Sequence, residues 1–527
     1  MKGIVLEGPP DNNQLPEKSL GFIFYNEIRK WENTRIAIID SDKQKINYGT
    51  LSRLSVTLAK KLINLGVKKH DVITIISHNQ WKYLVTIIAG FYIGASVNPL
   101  NCDYSSGELE HFFSISKPAV VFCTSKTFKN LLPLKKQLFY PAHIIIYDKH
   151  VPEAINFDDF LLHVDDTEFF TPVEVDTKED IALILTSSGT TGLPKCVQLS
   201  HSNFRLTMIY AGDPYFLDIN NVDSLVGFLP FFHIFGNALA LASLLYGAKF
   251  VILDAFNPDF FLNIIQEHKI TKLFVVPPVL LFLAKSPLVQ KYDLSSINDV
   301  MSGAAPATKE LEEMVEKTLK VKAVRQVYGM TEVCGAATII PRYVKKYGSS
   351  GKATTTHSIK VVDVETGKTL SPHEIGELRF KGDGIMKGYL GNEAETQAAF
   401  DEHGFLKSGD LGYYDEEGYF YIVDRLKEII KYKGFQVSPA ELENLLIQHP
   451  GVKDAGVVGK VDERSGEVPV AFIVKQPNQS VTEEELIKYI AENVSSQKHL
   501  HGGIIFIDAI PKSTSGKILR RKLKELI

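Results

Sequence analysis

The stretch Ser187-Ser-Gly-Thr-Thr-Gly-Leu-Pro-Lys195 carries almost nothing but donors among its polar groups. Gly189 and Gly192 lack a Cβ, so the backbone can turn to positive φ and bring its N–H groups close to an anion. Ser187, Ser188, Thr190 and Thr191 add hydroxyls, and Lys195 adds a fixed positive charge. That chemistry suits a phosphate chain. The stretch departs from GxxxxGK[ST]: Pro194 stands where that motif needs Gly, and Cys196 where it needs Ser or Thr. An ordinary P-loop ATPase is therefore disfavoured. Taken alone, a Gly/Ser/Thr cluster also describes a plain surface turn.

Other single groups stand where they could meet a ligand. Glu332, in Tyr328-Gly-Met-Thr-Glu332, follows a strand expected over Val321 to Val327. It suits either a hard cation or the start of a helix. Asp410, in Gly404-Phe-Leu-Lys-Ser-Gly-Asp410, accepts hydrogen bonds without donating any, and after Gly409 it is equally a turn residue. His233, in Pro230-Phe-Phe-His-Ile-Phe-Gly236, has apolar and aromatic neighbours that make a charged imidazole costly. A hydrogen-bonded core histidine fits the same pattern. Lys517 shares a basic tail with Lys512, Arg520, Arg521, Lys522 and Lys524, where solvated lysines are ordinary.

These groups need a scaffold. The apolar run Ile181-Ala-Leu-Ile-Leu185 before the first loop reads as a buried strand, and Val197-Gln-Leu-Ser-His201 follows the loop. Leu51 to Ile63 spaces its apolar residues for a helix, and Asp71-Val-Ile-Thr-Ile-Ile76 reads as a strand. Ala119 to Cys123, His143 to Tyr147 and Leu273 to Val276 repeat the strand pattern, so right-handed βαβ units and parallel sheets are expected. After about residue 333, short segments such as Ile359 to Asp363 and Gly376 to Phe380 suggest a small antiparallel or barrel-like piece. From Arg425 onward, a helix at Pro439 to Ile447 capped by Ser438, strands at Asp454 to Val458 and Val470 to Val474, and a capped helix at Thr482 to Ile490 make a compact α+β unit. The expected fold class is thus α/β, with a large N-terminal region over 1–424 and a small C-terminal domain over 425–527.

At 527 residues the chain exceeds one ordinary core. Hydrophobic residues at 45% and charged ones at 23% exclude a disordered chain. A net charge of −4 gives no basic excess for nucleic acid. Cys102, Cys123, Cys196 and Cys334 lie far apart without zinc spacing, which fits a reduced intracellular setting. Tyr83 to Leu100 is apolar but broken by Thr86, Ser96, Asn98 and Pro99, so a buried helix and turn is expected rather than a membrane span. No signal-peptide pattern opens the chain, and it ends Lys522-Leu-Lys-Glu-Leu-Ile527 rather than Ser-Lys-Leu, which points to cytosol over peroxisome.

The first loop, Tyr328 to Glu332, Lys407-Ser-Gly-Asp410, Asp424-Arg-Leu-Lys427, Lys431-Tyr-Lys-Gly-Phe435 and Pro511-Lys-Ser-Thr-Ser-Gly-Lys517 together resemble, in order and nearly end to end, the signature of the adenylate-forming superfamily. That superfamily holds acyl-CoA synthetases, carrier-protein adenylation domains and beetle luciferases. The chain looks most like insect luciferase-like and 4-coumarate-type acyl-CoA ligases. The resemblance implies an ATP- and magnesium-dependent ligase that joins a fatty or aromatic carboxylic acid to CoA through an acyl-adenylate. It implies that Ser187, Ser188, Gly189, Thr190, Thr191, Gly192 and Lys195 hold phosphates, and that Gln326, Tyr328, Gly329 and Thr331 line the nucleotide site. Thr331 would approach the α-phosphate, Glu332 would hold magnesium, and Asp410 and Arg425 the ribose side. Lys517 would supply the adenylation charge. His233 would stand beside the acid's carboxylate, in a pocket with Phe235, Thr207, Ser302, Gly303, Ala304, Ala305 and Val327. For the CoA step the resemblance implies that the small domain is mobile and turns about Lys427, exchanging Lys517 for Lys431 and the Lys433-Gly434-Phe435 loop.

Several positions depart from the family pattern. Cys196 replaces a usual Gly after the loop lysine, and Val327 replaces a Gly, which predicts a narrower or shorter acid pocket. Beetle luciferases carry Arg where this chain has Thr207, Gly-Gly where it has Gly303-Ala304, and Ser where it has Gly335. A luciferase-type monooxygenase is therefore the weaker expectation. A carrier-protein ligase and a catalytically silent nucleotide binder are further rivals, the latter opposed by the intact Lys195, Glu332, Asp410 and Lys517.

Overall fold

The computed structural model describes residues 3–11, 15–136, 141, 143–162, 169–187, 194–433, 435–462, 464–477, 479–513 and 516–527. Two parallel sheets carry the large region. In the first, Ile181–Ser187, Ser96–Leu100, Val72–Ile76, Val120–Cys123, His143–Ile146 and Ile155–Asn156 run parallel in that order, with Lys195–Ser200 and Gly388–Tyr389 added antiparallel at one edge. In the second, Val324–Met330, Asp299–Ser302, Lys272–Val275, Ser224–Gly227, Lys249–Ile252 and Ile36–Ile39 form the parallel core. Helices between these strands supply the βαβ crossovers that parallel pairing needs. No helix among the described residues is long and apolar enough to cross a membrane.

The expected helix and turn over Tyr83 to Leu100 is instead a helix, Trp81–Ile93, and a strand, Ser96–Leu100. The helix is buried along its whole length and stops where Gly94 turns left-handed at φ 68°. Proline argues against a central strand because it has no N–H for the ladder. Here Pro99 is tolerated because pairing with Ile181–Ser187 is confined to Val97 and Leu183.

The strand expected over Val321 to Val327 begins later and runs further, as Val324–Met330, so Tyr328 and Gly329 lie within it. It turns back through a single 3-10 turn, Thr331–Val333, into Gly335–Ile339. A Cβ on Gly329 would stand 1.7 Å from the Gly335 carbonyl oxygen, so the crossing admits only glycine. Behind it Arg325 is fully buried, donates to both oxygens of Asp299 at 3.0 and 2.5 Å, and also donates to the carbonyls of Phe216 and Ile340. That fully bonded guanidinium locks neighbouring strands in register at their amino ends, opposite the end that faces the site.

A third, antiparallel sheet joins Leu6–Glu7, Ser358–Val362, Gly376–Lys381, Leu406–Tyr414 and Phe420–Arg425. The small C-terminal unit has its own sheet, Phe435–Val437, Ile430–Tyr432, Gly466–Lys475 and Val452–Asp462, with Ile504–Phe506 parallel beside it. Its helices Pro439–Gln448 and Glu483–Asn493 are capped by Ser438 and Thr482 as their sequences require.

Candidate active site

A cavity of about 1700 Å³ opens where the carboxyl ends of both parallel sheets meet the antiparallel sheet and the small unit. Ligands bind at such ends because the chain must leave the sheet there in loops. Of the residues expected from the sequence, Ser187, Lys195, Thr207, His233, Phe235, Gly303, Ala304, Ala305, Gln326, Val327, Tyr328, Gly329, Thr331, Glu332, Asp410, Arg425 and Lys517 all line it. Ser302 is fully buried just behind and does not. Lys431, Lys433 and Phe435 do not line it either; Phe435 is 54% exposed. Ser188, Gly189, Thr190, Thr191, Gly192 and Gly434 lie outside the described residues.

The antiparallel pairing of Ile181–Ser187 with Lys195–Ser200 sets Ser187 directly opposite Lys195. The lysine ammonium lies 4.6 Å from the centre of the Tyr389 ring and pairs with Glu395. Tyr389 in turn donates to Glu332 Oε1 at 3.1 Å. Neither Tyr389 nor Glu395 was expected as a site residue. Gly388–Tyr389 is a two-residue strand brought here only by pairing with Val197 and Gln198, and no local pattern announces that.

Asp410 and Arg425 are cross-strand partners. Tyr328 donates to Asp410 Oδ2 at 2.7 Å, and the Arg425 Nε lies 3.2 Å from Oδ1. Asp410 is 5% exposed, yet its Oδ1 accepts no hydrogen bond among the described residues. Ion-paired with Arg425 but accepting no hydrogen bond, this buried oxygen has acceptor capacity left, which suits a ligand that brings hydroxyls. Gln326, by contrast, is spent on structure: its amide exchanges hydrogen bonds with both the N–H and the carbonyl of Ala307 and donates to Glu312. It holds the wall that runs through Gly303, Ala304 and Ala305. Ala304 sits in that wall at φ 72°, a conformation that costs an L residue about 1–2 kcal/mol.

His233 caps the helix Ile234–Leu245, its Nδ1 accepting from the Phe235 N–H at 3.2 Å. That bond leaves the ring proton on Nε2. Burial, and then the nearby Lys517 charge, hold His233 down at about 3, so it is neutral at physiological pH. Deeper in, Thr207 donates to the Cys334 carbonyl at 2.5 Å, and the lining becomes apolar through Leu239, Phe274, Met301 and Ile339. Val327 fills the space a side chain on Gly303 would need: a Cβ there would lie 2.8 Å from Val327 Cγ1 and 3.1 Å from Phe235 Cε1.

Lys517 comes from the small unit. Burial, then the Arg425 charge, lower its pKa, against the opposing pull of Asp410, Glu332 and Glu428. Its ammonium pairs with no carboxylate among the described residues. An unpaired cation thus faces the cleft beside the acceptor carboxylates, an arrangement suited to a polyanionic ligand.

The AMP-binding enzyme family matches residues 24–390, and the AMP-binding enzyme C-terminal domain matches residues 441–517. The chain belongs to the adenylate-forming superfamily. This adenylate-forming enzyme is 38% identical to luciferin 4-monooxygenase of Photuris pensylvanica over 534 residues, which cover 99% of this chain and 98% of that one. It is 37% identical to the probable 4-coumarate–CoA ligase 1 of Dictyostelium discoideum, covering 97% and 96%. Its fold superposes on the ATP-bound crystal structure of MatB from Rhodopseudomonas palustris with a TM-score of 0.88, at 27% identity and covering 96% and 98%. The adenylate-forming enzyme therefore has the α/β architecture expected of it, a large region of parallel sheets and a separate small domain.

Among its described residues, no three His, Cys, Asp or Glu side chains gather into a metal site. A hard cation bound at Glu332 would rest on one protein carboxylate and take its other ligands from phosphates and water. Magnesium is commonly held that way, so the donor set fits it.

Proposed function

We propose that this enzyme is an acid–CoA ligase. A carboxylate oxygen of the acid attacks the α-phosphorus of ATP and pyrophosphate leaves; the CoA thiolate then attacks the acyl carbon and AMP leaves. The observation that carries the reading is the Lys517 ammonium, without a carboxylate partner among the described residues, held in one cleft with Asp410, Arg425, Glu332 and a neutral His233. A cation placed between carboxylate and α-phosphate offsets the repulsion of two anions as they join. His233 offers its Nε2–H to the acid's carboxylate without adding charge. Asp410 accepts from the ribose hydroxyls, and Ser187 and Lys195 face the phosphates. Magnesium held by Glu332 would neutralise phosphate charge. The apolar inner lining suits an acid with an apolar body, fatty or aromatic.

The CoA step would use Lys431, Lys433, Gly434 and Phe435, which requires the small domain, 425–527, to turn about Lys427. A hinge works best at such a boundary, where few contacts must break. The ligase relative spanning the whole chain supports this reading. The luciferin 4-monooxygenase relatives favour a second one, in which oxygen attacks the adenylate and light results.

The test is pyrophosphate release from ATP over a panel of fatty and aromatic acids, with and without CoA, beside Lys517→Ala. Release that CoA accelerates and the variant loses is expected. Light from ATP and luciferin without any CoA-dependent turnover would replace the ligase reading by the second.

A further inference from the structure

Lys517 does not hold itself in place. It sits on a turn whose ends meet: Lys512 bridges Ile518, and the Leu519 N–H donates to the Pro511 carbonyl at 2.8 Å. Below the turn, Arg520 uses nearly all of its donors. It donates to both oxygens of Glu443, at 2.9 and 2.7 Å, to the Val457 carbonyl at 3.2 Å, and to Glu428. These partners come from the helix Pro439–Gln448, the strand Val452–Asp462 and the turn after Arg425.

Glu428 matters because of where it lies. It lines the cavity, and its charge acts on both Lys517 and Arg425. An ion pair between Glu428 and Lys517 would draw the cation from the place where an anion is to bind. Arg520 occupies Glu428 instead. A lysine could not do the same, since a point charge cannot reach Glu443, Val457 and Glu428 at once as the planar fork does.

We propose that Arg520 is a positioning residue for the first half-reaction: it fixes the base of the Lys517 turn and keeps Glu428 engaged, so that the Lys517 ammonium stays free for the reacting anions. The proposal rests on Lys517 serving adenylation. Arg520 touches no reacting atom.

Arg520→Lys is the informative variant, because it leaves a cation for the buried Glu443 and so preserves the fold. Pyrophosphate release with dodecanoate or 4-coumarate should fall roughly 10- to 100-fold in kcat, as for a misplaced catalytic group. The CoA step, started from supplied acyl-adenylate, should keep its wild-type rate. Adding Glu428→Gln should return adenylation to within about threefold of the Glu428→Gln protein alone, a coupling that mere loss of packing would not give. In a crystal structure of Arg520→Lys, Lys517 Nζ is expected within about 4 Å of a Glu428 oxygen, the limit of an ion pair. Equal losses in both half-reactions, no rescue by Glu428→Gln, or a Lys517 unmoved in that crystal would each overturn the proposal. Lys517→Ala separates the two ideas: if it abolishes adenylation while Arg520→Lys adenylates at the wild-type rate, only the role of Arg520 fails. If Lys517→Ala adenylates normally, the ligase chemistry assigned to Lys517 fails and this proposal with it. Should neither acid react, the crystal structure alone decides.

Discussion

The small domain carries two lysine-bearing turns built in opposite ways. The Lys517 turn is closed at its base, flanked by the Lys512–Asp454 pair at 2.5 Å and the Arg520 fork, and aimed into the cleft. The Lys431 turn is a hairpin between Ile430–Tyr432 and Phe435–Val437, held by its backbone and by the stacking of Tyr432 on His501, with no side-chain ion pair at Lys431 or Lys433 among the described residues. Lys431 is exposed, Lys433 is held left-handed at φ 47°, and the Phe435 ring is half in solvent. An aromatic ring kept in water beside two lysines gains nothing where it stands, whereas the half-buried Lys517 sits on a turn whose flanking ion pairs, at Lys512 and Arg520, hold it in position. The contrast teaches that one of these turns is pre-organised for the cleft while the other stands outside it, as the proposed CoA step would require.

The largest effect should come from breaking the pre-organised side. Lys517→Ala is expected to lower the adenylation rate about 10²–10³-fold, the usual loss when a positioned charge-stabilising donor is removed. Lys431→Ala should leave that step near wild type and slow only the transfer from acyl-adenylate to CoA. Single-turnover measurement of each half-reaction decides it. An equal loss of adenylation in both variants would erase the distinction between the turns.

Next in size is Asp410, on the large region's side of the cleft. Its Oδ1, ion-paired with Arg425 but accepting no hydrogen bond among the described residues, is a sign of acceptor capacity left for a ligand. Hydrogen bonds to a charged acceptor contribute about 1.5–3 kcal/mol each, so Asp410→Ala should weaken ATP binding roughly 10- to 100-fold. Titration calorimetry with ATP reads this directly. Unchanged affinity would show that the orphaned oxygen meets water rather than ribose.

Much of this site was legible in the chain because each motif residue announces its chemistry at its own position: Lys195 after a glycine-rich loop, Glu332 and Asp410 after turns, Lys517 after Gly516. Tertiary pairing was not legible. Tyr389 and Glu395 reach Lys195 only because an edge strand docks on Lys195–Ser200. Arg520 reads in sequence as one cation in a basic tail, and only the fold shows it clamping Glu428 and Glu443. The segment Ser96–Leu100 reads as a turn because Pro99 is a strong local signal, overridden by a ladder that leaves its nitrogen unpaired.

A smaller effect concerns the shape of the acid pocket. Val327 packs toward Gly303 and Phe235, so Val327→Gly removes a branched side chain from the wall. Preference should move toward bulkier acids by roughly 10-fold in relative kcat/KM, the discrimination expected of one or two methylene-sized contacts. Competition between a slim fatty acid and a ring-bearing acid measures it. No movement would mean that the wall at 327 does not touch the acid.

The subtlest comparison is between two buried glutamates. Glu443 in the small domain is pushed up to about 7 by burial, with the Arg520 charge pulling it back. Glu312 in the large region is pushed up to about 8 by burial, because its partners, Gln326 and the Gly348 N–H, are neutral. Both folded values exceed the 4.5 of a free glutamate, so between about 4.5 and 8 these two carboxyls hold more protons in the native state than in the unfolded chain, and their contribution to stability falls as pH rises. Buried histidines tilt the acid side the other way. His233 is held down at about 3, and His201 and His357 at about 4, against an ordinary 6.5. Between about 4 and 6.5 these three histidines therefore bind more protons in the unfolded chain, and their contribution to stability rises with pH. Above 6.5 the histidines are silent and the remaining decline belongs to the carboxylates. Thermal unfolding followed from pH 6.5 to 8.5 should show Tm drifting down by a few degrees, as about 1 kcal/mol does in a large domain. Glu312→Gln should flatten the part of the drift nearest pH 8, because an amide has no proton to lose, and Glu443→Gln the part nearest pH 7. A drift that both variants keep would mean that these carboxyls ionise without cost, and that the large region and the small domain do not differ in how they tolerate a buried acid.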